Sequence, residues 1–310
     1  MVKRALLVGA VLAAGCAPGP GGSTGSAKPS VTSTPTADGV PHVVLVVEEN
    51  RDYSGVIGKD NAPYINQLAG DHGIALAAYG QAHPSLPNYL ELVSGSTFGV
   101  SDDGTGYSFE AQTLGSQLNE KGIRWGAYME GMPHSCYQGA SSGQYAKKHN
   151  PFIYFTTVSG TAALCRNVLP YADLAQDLSS STPPAFVWIS PNLCHDGHDC
   201  SNKQMDSWLR ASLEPILASQ WFAQDGIAII TWDEGAEGDG SGCCSGAKGG
   251  HIATVVVSTR VQGHVESSAP VDHAGILRTI EQLYGLPLLG DAACSCSGDL
   301  SALVGEKPSP

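Results

Sequence analysis

Short runs of β-branched and other apolar residues alternate along this chain with longer stretches whose apolar positions recur every three to four residues. The short runs are His42–Val47, the segment 122–128, Ala185–Ile189, Ile227–Trp232 and Ile252–Ser258. Each has the length and near-continuous apolarity of a strand buried on both faces. The stretches Ala62–Asp71, Asn88–Ser94, Ser108–Glu120, Met205–Ala218 and His273–Tyr284 carry the helical pattern. The alternation predicts an α/β domain over residues 41–305, with a mainly parallel central sheet and helices on both faces. No internal repeat and no Gly-rich phosphate loop interrupts this order.

Ahead of the domain the pattern changes. Met1-Val2-Lys3-Arg4 is a short basic segment, and Ala5–Ala14 is an apolar run of secretory-signal length. The run closes as Leu12-Ala13-Ala14-Gly15-Cys16, which is similar to a bacterial lipobox. Residues 1–15 therefore read as a lipoprotein-type signal peptide and Cys16 as the lipidated residue. Residues 16–40 are almost wholly Pro, Gly, Ser, Thr and Ala after that cysteine, a composition that cannot bury a core and reads as a flexible tether. The expectation is an exported monomer, either held at the outer face of the cell membrane through Cys16 or secreted.

Composition narrows the function classes. In 310 residues, 16 Lys and Arg stand against 29 Asp and Glu, and the net charge of −13 disfavours nucleic acid as a partner. An apolar fraction of 42% with only 15% charged residues excludes wholesale disorder. Nine cysteines leave eight once Cys16 is set aside, an even number suited to disulfides in an oxidising compartment. Cys136 with Cys165 and Cys194 with Cys200 are local candidates for pairing; spacing leaves the connectivity open. A thiolate zinc site is disfavoured, because adjacent Cys243 and Cys244 cannot easily take two corners of a tetrahedron and no CxxC pair is present.

In a parallel sheet, ligands gather beyond the carboxyl ends of the strands. Polar clusters fall at those ends here. The run 42–47 leads into Glu48-Glu49-Asn50, 185–189 into Asn192 and His195-Asp196-Gly197-His198-Asp199, and 227–232 into Asp233-Glu234. Glu49, Asn50, Asp233 and Glu234 are the oxygen donors that suit a divalent cation, provided the two strands that carry them are neighbours. Glu48 reads as a solvated surface acid. His251 and His273 read as structural, and the tryptophans as packing residues.

A further element is Gln81-Ala82-His83-Pro84-Ser85-Leu86-Pro87-Asn88-Tyr89, where Ser85 stands just ahead of a helical pattern with Pro87 in its first turn. Spacing alone makes Ser85 an N-cap. A helix N-terminus also suits an anion, and a cation on the hydroxyl would turn Ser85 into a nucleophile.

These segments resemble a known family. Val47-Glu48-Glu49-Asn50-Arg51, the HPSLPNY stretch at 83–89, Tyr145-Ala146-Lys147-Lys148-His149-Asn150-Pro151, Pro191-Asn192 with DGHD at 196–199, Thr231-Trp232-Asp233-Glu234 and the run Asp272–Glu281 occur in order. Together they resemble the bacterial phosphoesterase family of secreted acid phosphatases and phospholipases C, within the alkaline-phosphatase-like superfamily, over about residues 42–290. The nearest sub-group looks like the small secreted acid phosphatases, some of which act on phosphoinositides. The resemblance implies an alkaline-phosphatase-like fold and a phosphate-ester substrate. It also implies one divalent metal of open identity on Glu49, Asn50, Ser85, Asp233 and Glu234. Ser85 would be the nucleophile, passing through a phosphoseryl intermediate. Asn88 inherits a phosphate contact, His198 a phosphate contact or the leaving-group acid, and His83 and His149 are further substrate-contact candidates. His195, where many relatives have Asn, reads as incidental. A histidine acid has an ordinary pKa near 6.5, so mildly acidic turnover is expected.

The expected activity is that of an exported metal-dependent phosphomonoesterase of acid phosphatase type. The alternatives are a phosphodiesterase or phospholipase C on the same metal site, and a surface binding lipoprotein with a dead site. A serine esterase is disfavoured, since no GxSxG elbow surrounds Ser85.

Overall fold

The structure is a computed structural model and describes residues 39–305. The expected signal segment 1–15, the expected lipidation at Cys16 and the expected tether as far as residue 38 lie outside the described residues. Nine strands form one sheet: β1 (His42–Glu48), β2 (Gly73–Tyr79), β3 (Trp125–Met129), β4 (Val168–Pro170), β5 (Phe186–Ser190), β6 (Gly226–Trp232), β7 (His251–Ser258), β8 (Val265–Ser267) and β9 (Val271–Asp272). Their order is β8-β2-β7-β6-β1-β5-β3-β4, with β9 also pairing β2. All neighbours are parallel except at β7, which is antiparallel to both β6 and β2.

The main helices are α1 (Pro63–Asp71), α2 (Ser85–Ser94), α3 (Leu114–Glu120), α4 (Asn202–Leu217) and α5 (His273–Leu283). α1 packs on α4, while α2 packs on α5 and α3, so the helices fall into two groups. Covered in this way, β1, β5 and β6 are buried almost throughout, and their Val- and Ile-rich sequences need no polar alternation. Each fully buried Val, Leu or Ile side chain stabilises the fold by roughly 1.5–3 kcal/mol.

Four strands, β2, β4, β8 and the two-residue β9, are absent from the sequence expectation. β2 has the sequence GIALAAY, which is rich in alanine and lacks the β-branched signature of its neighbours. β4 and β8 are three-residue edge strands. The expected helix over 108–120 begins only at Leu114, because Thr113 caps it through a reciprocal pair with Ser116. Upstream, Phe109 bridges to Phe155 instead. α5 is capped by Asp272, which accepts from Gly275 N–H at 2.9 Å.

Disulfides join Cys136 to Cys165 and Cys194 to Cys200, as local pairing suggests, and also Cys243 to Cys244 and Cys294 to Cys296. The second closes the loop that carries Asp196 and His198. Among the described residues no helix is long and apolar enough to cross a membrane.

α2 is buried over its whole length and stops at Gly95, whose φ of +67° is left-handed. A Cβ there would lie 2.2 Å from the carbonyl oxygen of Leu289, so only glycine fits. Inside this helix Glu91 is buried with neither carboxyl oxygen hydrogen-bonded. Burial, reinforced by Asp291 and Asp272, pushes its pKa up to about 8 from an ordinary 4.5. A carboxyl raised on folding gives its full stability below the unfolded value and loses it as pH rises through the folded one. Chemical denaturation between pH 5 and 9 should therefore show the wild type losing stability against Glu91→Gln as pH rises toward 8. A difference that does not change with pH would contradict this placement of the charge.

Candidate active site

β1 and β6 lie side by side with Glu48 opposite Trp232, so the residues that follow leave the sheet together. Asp233 N–H donates to the carbonyl of Glu48 at 2.9 Å. Asn50 takes a left-handed φ of +54°, a conformation asparagine tolerates better than most residues, and the chain turns there. Arg51 fixes the turn by donating to the carbonyls of Asn50, Gly197 and Cys200 and to Asn202 Oδ1. Asn50 N–H reaches Asp233 Oδ1 at 3.1 Å, and Asn50 Nδ2 donates to Glu49 Oε2 at 3.0 Å.

Ser85 is the first residue of α2 rather than its cap. Its hydroxyl bonds to no backbone of its own helix; it lies 2.9 Å from Glu49 Oε2 and 3.2 Å from Glu234 Oε1, able to donate to either. The neighbouring free N–H of the helix start, on Leu86, goes to Asp103 Oδ1 at 3.0 Å. The N-cap expectation is thus corrected: the carboxylates at the strand tips outcompete the helix for the serine hydroxyl.

Glu49, Asp233, Glu234 and Ser85 are all at most 3% exposed. Crowding of acids in a dry site is unfavourable for their charged forms. Asp233 is accordingly pushed well above the usual carboxylate range, by burial first and then by Glu49 and Glu234. Glu234 is raised to about 7, chiefly by burial, with His83 opposing. Glu49 Oε1 and Asp233 Oδ2 have no hydrogen-bond partner. Buried acceptors are nearly always satisfied, and these two belong to a set of hard oxygen donors. In donor chemistry the set fits a divalent cation; in geometry it stands open, since no three His, Cys, Asp or Glu side chains among the described residues close into a metal-holding group.

A cavity of about 390 Å³ opens over Ser85, lined by Asn50, His83, Glu234, Glu237, Asp103, Lys148 and His198. Lys148 Nζ lies 3.4 Å from Ser85 Oγ, 2.9 Å from Asp103 Oδ2 and 3.4 Å from His198 Nε2. Burial lowers the lysine's pKa, but Glu49 and Asp103 outweigh it and the net direction is up. Two larger hollows, of about 530 and 440 Å³, lie elsewhere and hold none of these groups.

Residues 59–287 match the Phosphoesterase family. The chain is 32% identical, over 94% of its own length and 91% of the relative's, to a phosphatidylinositol-3-phosphatase of Mycobacterium tuberculosis. The chain belongs to the Phosphoesterase family. It is a phosphoric ester hydrolase of the phosphatase kind. A phosphate-repressible acid phosphatase of Penicillium chrysogenum is 28% identical over 84% of the chain, which spans 62% of that relative's length. Among solved structures, a Vibrio parahaemolyticus protein in the alkaline phosphatase superfamily superposes with a TM-score of 0.57, at 13% identity, covering 82% of this chain and 70% of the other. A putative sulfatase from Bacteroides thetaiotaomicron gives 0.58 at 13% identity, covering 87% and 76%. These two likenesses establish the fold alone, an α/β architecture like that of the alkaline phosphatase superfamily protein from Vibrio parahaemolyticus.

Within this phosphoesterase the expected site residues separate into groups. Glu49, Asn50, Ser85, Asp233 and Glu234 come together, and His198 faces the cavity with its Nδ1 held by Asp199 Oδ1 at 2.7 Å. His83 lines the cavity, yet both ring nitrogens are engaged, Nδ1 by Glu234 and Nε2 by the Asp239 carbonyl at 2.9 Å. It orients Glu234 rather than standing free for substrate. His149 is corrected more strongly. It is buried behind Glu49 and stacked on Tyr89, with ring nitrogens 3.0 Å from Glu49 Oε1 and 3.1 Å from Asp196 Oδ2. These approaches lack hydrogen-bond geometry, and Glu49 Oε1, Asp196 Oδ2 and His149 Nε2 remain without hydrogen-bond partners. Burial pulls the His149 pKa down to about 4.

Asn88 is also corrected. Its Oδ1 accepts from Gln81 and Ala82 N–H, and its Nδ2 donates to the Ala82 and Pro84 carbonyls, which uses its whole capacity on the loop before α2. Glu48 is no solvated acid: it is fully buried, with both oxygens unpartnered and its pKa raised, by burial first and then by Asp196 and Glu130. His195 bonds Glu130 and stacks on Trp208, outside the cavity lining.

Lys148, Asp103 and Glu237 are charged cavity residues to which the sequence reading assigns no role. Lys148 stands next to His149 in the KKHNP run, where the histidine draws the attention. Asp103 lies in an aperiodic loop that gives no signal. From the Asn88 geometry, Asn88→Ala strips four part-buried backbone groups of their partner and should cost about 1–3 kcal/mol of stability in a denaturant melt. A melt within about 0.5 kcal/mol of wild type would instead leave Asn88 free for a phosphate role.

Proposed function

We propose that this phosphoesterase is an exported, metal-dependent phosphomonoesterase of acid phosphatase type, with Ser85 as nucleophile and a phosphoseryl intermediate. The observation that carries the proposal is the Ser85 hydroxyl, 2.9 Å from Glu49 at a cavity floor whose carboxylates retain unpaired acceptors. Glu49, Asn50, Asp233 and Glu234, with Ser85 itself, would hold one divalent cation. Bound there, the cation supplies charge stabilisation for the phosphoryl group and for the serine oxygen.

The chain's own residues do the rest. Ser85 gives up its proton along one of its carboxylate hydrogen bonds, and its oxygen forms the new bond to phosphorus as the ester P–O bond breaks. His198 gives its proton to the departing alcohol. Water then attacks the phosphoserine, frees inorganic phosphate and returns the hydroxyl. The start of α2 lies under this reaction centre, and its N–H groups and dipole favour the negative charge that builds up there.

Names of the relatives support phosphate monoesters as substrates, including phosphoinositides. Four disulfides among the described residues support an oxidising compartment and hence export. Attachment through Cys16 and a monomeric state complete the proposal.

Turnover of p-nitrophenyl phosphate should fall at least about a thousandfold in Ser85→Ala, and comparably in chelated wild type, as expected when a nucleophile or its activating charge is lost. Re-addition of a divalent ion should restore only the wild type, and circular dichroism should show both proteins folded. Substantial turnover by Ser85→Ala would refute the nucleophile, and full activity after exhaustive chelation would refute the metal.

A further inference from the structure

We propose that Lys148 is a catalytic residue that reads the charge of the substrate phosphoryl group and makes the enzyme selective for dianionic monoesters over monoanionic diesters. This rests on the Ser85 reading above. The consecutive lysines 147 and 148 have different fates. Lys147 donates to the Thr105 carbonyl at 2.8 Å and lies over the Tyr154 ring, turned into structure. Lys148 places its ammonium 3.4 Å from the serine oxygen and is the only Lys or Arg among the described residues lining the cavity.

Its position is fixed from two sides. Asp103 binds the ammonium through Oδ2 and the Leu86 N–H through Oδ1, so one carboxylate ties the lysine to the first turn of the nucleophile's own helix. His198 Nε2, the proposed donor to the departing alcohol, borders it at 3.4 Å. An ammonium has three N–H donors: Asp103 takes one at 2.9 Å, and Ser85 Oγ and His198 Nε2 stand at 3.4 Å, so a phosphoryl oxygen bound above the serine would take over one of these two long contacts.

The surrounding charge makes this cation matter. Asp103, Glu234 and Glu237 also line the cavity and would repel a phosphate. Above its second pKa, about 6, a monoester carries two negative charges on three non-bridging oxygens, whereas a diester carries one charge on two, so the comparison is made at pH 7. The attraction of a fixed ammonium scales with that charge. A compact point charge such as lysine therefore separates the two substrate classes by charge, without contacting the alcohol portion of either. Asp103 acts through Lys148 and is a positioning residue.

The test compares wild type, Lys148→Met and Lys148→Arg on p-nitrophenyl phosphate and bis-p-nitrophenyl phosphate, with Ser85→Ala as a control. Wild type should favour the monoester. Loss of one charged donor at a reaction centre costs about 10²–10³-fold, so Lys148→Met should lose about that much kcat/KM on the monoester and under about tenfold on the diester. Lys148→Arg should recover part of the discrimination. Binding of inorganic phosphate by calorimetry, which needs no turnover, should weaken about tenfold or more in Lys148→Met, as for loss of a charge-assisted contact.

A wild type without monoester preference, equal losses on both substrates, or unchanged phosphate affinity would each overturn the proposal. If Lys148→Met does not fold, the pair Asp103→Asn/Lys148→Met removes both charges and allows the same comparison. Turnover by Ser85→Ala would instead count against the serine reading, so the two failures are distinguishable.

Discussion

The site depends on the parallel pairing of β1 with β6. That register brings Glu49-Asn50 and Asp233-Glu234 off the sheet at one point, and burial on both faces of the sheet prevents the acids from escaping into water. Like charges confined in a dry place are unfavourable. The fold offsets this through raised carboxyl pKa values, through N–H donors from Asn50 and Glu234, and through the Ser85 hydroxyl. Two acceptors remain unpaired after all of these, and they motivate the proposed cation.

The helix that carries the serine is held as firmly as the strands. α2 is buried from end to end, its start is fastened by Asn88 and Asp103, and its finish is fitted against Leu289 through Gly95. Rigid support of this kind is what a positioned nucleophile requires, since misplacement by about 1 Å can cost about a hundredfold in rate. The histidines form a second layer: His83 holds Glu234 and His149 backs Glu49, while His198 alone keeps a ring nitrogen toward the open cavity.

Much of this is legible in the sequence, for a physical reason. Strands buried on both faces write themselves as unbroken Val and Ile runs, and in a parallel sheet the polar residues after such runs must gather at one edge. β2 escapes notice because alanine fills its positions, and β4 and β8 because three residues carry no period. Within the site, spacing locates Asn88 on the helix but cannot say that its amide faces backward into the 81–84 loop. Glu48 and Glu49 look alike as letters, yet one is buried with neither oxygen partnered and the other meets the serine. Asp103 arrives on an irregular loop and Lys148 on a single 3₁₀ turn, and only tertiary structure brings these residues, 45 positions apart, to within 2.9 Å.

The serine at the meeting of strand tips and helix start is the central claim. It is tested most directly by acid-quenching the enzyme during turnover of a radiolabelled phosphomonoester and mapping the labelled peptides. Acid-stable phosphate on the peptide that contains Ser85, forming and decaying at rates compatible with turnover, is the expected result. Rapid turnover with no trapped phosphoenzyme and inversion of configuration at phosphorus would contradict it.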